Sequence, residues 1–564
     1  MMDRRGAPAL SSRRFAATAL AASAAVLVLA SPVCAQLAAA GAQFIFDSET
    51  GPWVGFAAVN DQLGHAMAAG DWNADGFADL AVADRDNAVL SGAGTVYVEL
   101  SFGRDGAPFL HQKLNDFVPG DPVVADRQAN DQFGDAFAVG DFDGDGVDDL
   151  AIGAPGQAVA GHAAAGSVLI LRGFPGWGLV DLGAMRLVPG EGSLGGFSPA
   201  PNDRFGAALV AADFDLDGFD DLAVGVPGRG VSAPPVFLPA AGAVVVLFGA
   251  AGGMTGGPPL VFTQNSVEGD NEMQETAETA DRFGSTLAAG DFDGNGVADL
   301  AIGVPAESLG ASENGIVQVL PSTAGVGPRV FGNRLFVQGS NGVPGTAGDH
   351  NRFGFALAAG DFDGLGIDDL AIGAPDESVT AGSLRPSAGV LYALYGIADI
   401  GLTATAATRF TQSILIPGYA DFPETGDRWS YSLSAADFNG DGRDDLAVGA
   451  PGESIVLPGG EVFGAGAIAL VYGSSTGLQP FGPQMWFEGA NGTPGLPQAD
   501  DFYGAWIVAA DIDGNHRADV AIGAVGQDIG PNADAGGVHM IYSAHLFVDG
   551  FELGNTDRWS ATTP

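Results

Sequence analysis

From about residue 42 to 545 the apolar positions come in short bursts, and the three-and-four spacing of an amphipathic helix is essentially absent. The bursts keep one order. A stretch alternating small and larger apolar residues, such as 284–290, leads into a nine-residue acidic loop. A β-branched run follows, such as 149–155, and then another, such as 166–172 or 242–248. A weaker fourth run lies at 334–338 in one copy and 410–417 in another. Short alternating or β-branched runs bounded by glycine and aspartate predict strands, four to a unit. The unit recurs seven times, its loops opening at Asp71, Asp141, Asp213, Asp291, Asp361, Asp437 and Asp511, with spacings of 70, 72, 78, 70, 76 and 74 residues. Four-stranded units at a steady period predict an all-β fold, a seven-bladed β-propeller, with long connections between the strands.

The loops pose a chemical question. The stretch Asp141-Phe-Asp-Gly-Asp-Gly-Val-Asp-Asp149 crowds five aspartates into nine residues. Oxygen side chains stand at positions 1, 3, 5 and 9: Asp141, Asp143, Asp145 and Asp149, with Gly146 at the turn. Hard oxygen ligands on a short loop suit Ca²⁺, which takes six to eight of them in loose geometry. Neither His nor Cys joins this loop, which disfavours zinc. An EF-hand would need a Glu at position 12 and flanking helices, whereas position 12 is Ile152 within a strand-like run. Solvated Asp-Gly turns would explain one copy; seven in register point to metal.

The other loops, 71–79, 213–221, 291–299, 361–369, 437–445 and 511–519, repeat the ligand set with variations. They supply Asp71, Asn73, Asp75 and Asp79; Asp213, Asp215, Asp217 and Asp221; and Asp291, Asp293, Asn295 and Asp299. Asp437, Asn439, Asp441 and Asp445 form another set. The fifth loop has Asp361, Asp363 and Asp369, but Leu365 at position 5. The seventh has Asp511, Asp513, Asn515 and Asp519, but His516 replaces the turn glycine. Five to seven Ca²⁺ ions are expected, the fifth and seventh sites being weakest.

Phe133-Gly134 before one loop and Gly153-Ala154-Pro155 after it recur as Phe205-Gly206 with Gly225-Val226-Pro227, and as Phe353-Gly354 with Gly373-Ala374-Pro375. The units thereby resemble the FG-GAP repeats of the integrin α-chain N-terminal propeller. Repeat one departs with Leu63-Gly64, repeat six with Trp429-Ser430, and repeat seven with Tyr503-Gly504 and Gly523-Ala524-Val525. The resemblance implies an FG-GAP type propeller with Ca²⁺ inside each blade, and an N-terminal strand at 43–47 completing the last blade. The phenylalanines of the repeated motif are expected between blades. Arg204, Arg282, Arg352 and Arg428, which precede the aromatic, are expected to pair with acids.

Composition narrows the function. A net charge of -46 repels phosphate backbones, so no nucleic acid partner is expected. Of the 68 acidic residues, 27 lie in the seven loops, where bound calcium would relieve their repulsion. At about 2 mM Ca²⁺ and dissociation constants of about 0.1–1 mM, each site adds roughly 0.7–1.8 kcal/mol.

Residues 1–35 read as a signal peptide: Arg4, Arg5, Arg13 and Arg14, an apolar run at 15–30, and Val33-Cys34-Ala35 as the cleavage site. Cleavage would remove Cys34, the single cysteine, so calcium would do the stapling that disulfides do elsewhere. The expected domains are this leader, a propeller over 36–545, and a short tail over 546–564 resembling a DGFE-x-G tail of exported bacterial proteins.

The expectation is a secreted or cell-surface calcium-binding module that binds or adheres to an extracellular protein or glycan. It would be a monomer, with structural calcium and no membrane span in the mature chain. No HExxH, GxSxG or CxxC is present, so no catalytic residue is assigned and no enzyme is expected. The alternative is a polysaccharide lyase or hydrolase on the same fold.

Overall fold

A computed structural model describes residues 43–45, 60, 62–85, 93–100, 110–114, 128–412, 423–479, 484–490, 493, 495–528 and 533–543. The expected leader at 1–35 and the expected tail at 546–564 lie outside them.

Seven four-stranded antiparallel sheets follow one another along the chain. In the second blade the innermost strand Phe137–Gly140 pairs with Asp149–Ala154, which pairs with Ser167–Phe174 and then Gly178–Leu187. The register Gly140↔Asp149 puts the acidic loop at the hairpin tip of the two inner strands. The Phe-Gly motif therefore sits at the other end of the same hairpin. The innermost strands read MAAG, FAVG, ALVAA, TLAAG, ALAAG, LSAA and YGAWIVAA. Small side chains suit strands that converge on an axis, because bulk there would hold the blades apart.

The seventh blade is composite. Tyr503–Ala510, Asp519–Ala524 and Gly537–Ile541 supply three strands, and Gln43–Ile45 supplies the fourth in the register Gln43↔Met540. The N-terminal strand expected at 43–47 thus completes this blade over Gln43–Ile45. Outer strands differ more from expectation. That of blade four is Arg334–Phe336, and that of blade five is Thr403–Phe410, ending where the sequence pattern placed its start. Outer strands face solvent on one edge, so their apolar signal is the weakest in each unit.

The apolar interior divides into seven main clusters, one at each seam between neighbouring blades. Phe205, Phe283 and Phe353 are fully buried in the seams before their own blades, beside residues such as Val245, Val244 and Val317. Trp429, Tyr503 and Leu63 take that place in blades six, seven and one. The departures from Phe-Gly are therefore substitutions at one packing position. Where glycine gives way to Ser430, the residue keeps a φ of 70° and its hydroxyl donates to Val390 O of blade five at 2.7 Å.

Candidate metal centres

Each loop is built by its own side chains before any ion is considered. The position-1 carboxylate folds the turn: Asp141 Oδ1 accepts the Asp145 N–H at 3.0 Å and Oδ2 that of Gly146 at 2.8 Å. The same pair of bonds recurs at Asp71, Asp213, Asp291, Asp361, Asp437 and Asp511. Position 5 adds a local turn, Asp145 Oδ1 accepting the Val147 N–H at 3.1 Å, as do Asp75, Asp217, Asn295, Asp441 and Asn515 in theirs. Leu365 cannot.

The position-9 aspartates are buried, 0–1% exposed, and tie the loop to the third strand. Asp149 accepts the Gly173 N–H at 2.9 Å, Asp221 that of Gly249 at 2.8 Å, Asp445 that of Gly473 at 2.8 Å and Asp519 that of Ser543 at 2.6 Å. Burial pushes the carboxyls of Asp149, Asp221, Asp299 and Asp519 up to about 7, and those of Asp369 and Asp445 up to about 8, with neighbouring loop aspartates adding to the rise.

In blades two, three, five and seven, positions 1, 3 and 9 bring one carboxylate oxygen each within 4.8 Å of the others. These are Asp141, Asp143 and Asp149; Asp213, Asp215 and Asp221; Asp361, Asp363 and Asp369; and Asp511, Asp513 and Asp519. The position-5 residues stay outside these groups. In blades one and six the third residue is an amide, and Asn73 and Asn439 donate Nδ2 to Asp79 and Asp445 at 3.2 and 3.3 Å. Asp291, Asp293 and Asp299 of blade four hold the same loop positions without so close a grouping. The donor sets fit a hard cation on a further ground. Asp215 Oδ1 and Asp445 Oδ2 are buried oxygens with no hydrogen-bond donor, an arrangement proteins otherwise avoid. In blade two Arg172 reaches into the loop, paired with Asp143 and 3.3 Å from Asp145.

The variant loops keep the fold. His516 adopts a φ of 63° in place of glycine, and its N–H still reaches Asp511 Oδ2 at 2.7 Å. A second left-handed residue at position 4 went unread in the sequence, because Ala74 and Leu216 fill it in two copies, at 56° and 59°. Position 2 was also missed. Trp72, Phe142, Phe214, Phe292, Phe362 and Phe438 are almost fully buried and anchor each loop to a seam. The repeated Asp-Phe-Asp was the available signal.

Position 8 was missed as well, because its partner belongs to another blade. Asp148 Oδ2 accepts the Asp71 N–H at 2.8 Å, Asp220 that of Asp141 at 2.9 Å, Asp368 that of Asp291 at 2.8 Å, and Asp444 that of Asp361 at 3.0 Å. Each links its loop to the loop of the preceding blade. A glycine precedes each loop that donates this N–H, and a Cβ on Gly140 would come 2.8 Å from Asp220 Oδ2.

At the other end of the hairpins, all seven innermost strands line an axial cavity of about 560 Å³. Arg282, Arg352, Phe355, Tyr431 and Trp506 stand at it. Phe355 and Tyr431 lie with centroids 4.9 Å apart, and Trp506 is 41% exposed. Arg204 pairs with Asp135 at 3.7 Å, while Arg352 and Arg428 share Asp376 at 3.2 and 3.4 Å. Among the described residues no helix is long and apolar enough to cross a membrane.

The FG-GAP repeat profile matches residues 133–171, 205–247, 283–320, 353–394 and 429–471, which fall in blades two to six. Human phosphatidylinositol-glycan-specific phospholipase D is 32% identical over 228 residues, 40% of this chain and 24% of that protein. Drosophila melanogaster integrin alpha-PS2 is 30% identical over 301 residues, 52% of this chain and 18% of the integrin. Caenorhabditis briggsae integrin alpha pat-2 is 31% identical over 258 residues, 43% of this chain and 18% of the integrin. The matches thus span a quarter or less of these relatives. Blades one and seven lie outside the five matched segments, yet have the same strand order and acidic hairpin. The chain is a seven-bladed β-propeller with FG-GAP repeats, homologous to integrin alpha chains.

Proposed function

We propose that this chain is a secreted binding module, a propeller stiffened by calcium that presents its axial mouth to an extracellular protein or glycan. The observation that carries the proposal is the separation of the two hairpin ends. The acidic loops, grouped for cations, occupy one end. The cavity with its arginines and aromatics occupies the other, on a chain of net charge -46. Guanidinium forks and exposed aromatic faces supply directional polar contacts and flat apolar area, the usual equipment of recognition sites. The proposal includes the leader at 1–35, the propeller at 36–545 and the tail at 546–564.

Residues at positions 1, 3, 5 and 9 would hold Ca²⁺, with those of blades two and three offering the fullest carboxylate sets. The ion supplies charge neutralisation. The aspartates themselves fix the turn and join the loop to the third strand, so calcium acts on stability first and on binding only through it. The phospholipase D relative, matched over 24% of its length, supports a second reading, an extracellular lyase or hydrolase on the same fold.

The test is a glycan and protein array, run with calcium and with chelator, followed by Trp506→Ala and Arg352→Ala on any ligand captured. Loss of capture in folded variants supports the mouth. Release of a product from a captured glycan or lipid would replace the binding module with an enzyme. Asp145→Ala should lower the melting temperature in calcium and leave affinity unchanged while folded. Lost binding at an unchanged melting temperature would move the ion into the binding site and overturn its structural role.

A further inference from the structure

We propose that the seam between the third and fourth blades holds a divalent cation, outside the repeat loops, on Glu278, Asp281, Glu307 and the amide oxygen of Gln264. One carboxylate oxygen from each of the three acids lies within 4.8 Å of the others. Asp281 is 2% exposed, Glu307 0% and Gln264 1%, so two of these charges are deeply buried. Gln264 follows the outer strand of blade three and donates Nε2 to Glu307 Oε2 at 2.6 Å. The same amide carries Oε1, buried and without a hydrogen-bond donor. Burial pushes Glu307 up to about 7, with Asp281 adding to it, and pushes Asp281 itself up to about 6. Buried carboxylates this close require either protons or a cation.

The next seam is an internal control. There Gln338, Glu377 and Asn351 stand where Gln264, Glu307 and Asp281 stand here. Gln338 again donates Nε2 to the glutamate, at 2.6 Å, but its Oε1 accepts from Asn351 Nδ2 at 2.8 Å. Arg409 meets Glu377 Oε1 at 2.7 Å and supplies the positive charge. The register Ile372↔Tyr392↔Arg409 corresponds to Ile302↔Gln318↔Leu335, so Leu335 takes the place of Arg409 in blade four. Two differences, Asp281 for an asparagine and Leu335 for an arginine, each remove positive or donor character from one buried space. Together they leave three acids and an unbonded amide oxygen, a hard-oxygen set of the kind Ca²⁺ and Mn²⁺ accept.

The probe is Mn²⁺, located by anomalous diffraction from crystals of the full chain. A peak enclosed by Glu278, Asp281, Glu307 and Gln264 is expected, with none beside Glu377. In Leu335→Arg, which installs the arrangement of blade five, the peak should vanish while loop peaks persist. Glu307→Gln should do the same, and elemental analysis of dialysed protein should count one ion fewer. Occupied loops without a peak at this seam would overturn the inference and leave the calcium reading of the loops standing. A seam peak that survives both substitutions would overturn the ligand assignment.

Discussion

Four of the seven seams are built from a glycine and an aspartate, and three from two alanines. Gly70 faces Asp148, Gly140 faces Asp220, Gly290 faces Asp368 and Gly360 faces Asp444. At the seams three–four, six–seven and seven–one the same positions hold Ala212 and Ala298, Ala436 and Ala518, and Ala510 and Ala78. No seam mixes the two kinds. The reason is volume. A Cβ on Gly140, Gly290 or Gly360 would stand 2.8–2.9 Å from the facing carboxylate oxygen, nearer than unbonded atoms approach. An aspartate therefore requires glycine opposite, and in return accepts the N–H of the first loop residue. Alanine opposite alanine fills the space with methyl groups instead. The seams are matched pairs, and neighbouring blades are not interchangeable.

Breaking the pairing should have the largest effect. Gly140→Ala alone should cost about 1–3 kcal/mol by overpacking. Asp220→Ala alone should cost a similar ~1–3 kcal/mol by leaving the Asp141 N–H without an acceptor. The double variant recreates an alanine seam and should fall short of the summed loss by about 1–2 kcal/mol. Denaturant midpoints in saturating calcium measure all three, and strict additivity would dismiss the volume argument. The converse sharpens it. Ala298→Asp should destabilise by roughly 1–3 kcal/mol, and adding Ala212→Gly should recover most of that.

A third experiment compares the alanine seam of blades six and seven with its neighbours through pH. Glu488 is 1% exposed, accepts from Gln527 Nε2 at 2.7 Å and lies 2.9 Å from His539 Nε2. Burial pushes its carboxyl up to about 8, and pushes that of nearby Asp501 up to about 7. Carboxyls raised on folding stabilise fully below their unfolded values, and that stability is lost as pH rises through the folded ones. The melting temperature in calcium should therefore fall between about pH 5 and 8, and Glu488→Gln should flatten the slope. An unchanged slope would remove Glu488 from the account. The smallest effect belongs to Leu365→Asp, which restores the position-5 turn and one ligand. Calorimetry should show tighter calcium binding by about 0.5–1.5 kcal/mol, and no gain would place position 5 outside the ligand set.

The blades and loops were legible in the sequence because their signals are local. Asp141, Asp143 and Asp149 lie within nine residues, and strands such as Asp149–Ala154 carry their own β-branched pattern. What stayed hidden is what crosses a seam. Asp220 bonds to a residue 79 positions away, so nothing beside it in the chain names its partner. Glu307 and Gln264 are 43 apart for the same reason. The left-handed turns at Ala74 and Leu216 were hidden otherwise: the loop's hydrogen bonds impose a conformation that neither side chain advertises.

The strand Gln43–Ile45 bonds to residues almost five hundred positions later. During synthesis it emerges before every other described strand and finds its neighbour last. Six blades can assemble from local hairpins as they appear, while this strand must wait for Gly537–Ile541. Until then its backbone groups, and those of the last blade, are open to any passing strand. Timing is therefore written into the topology. The ring locks only once residues 537–541 have been made, and a ribosome halted before residue 537 would leave a fan of blades rather than a wheel.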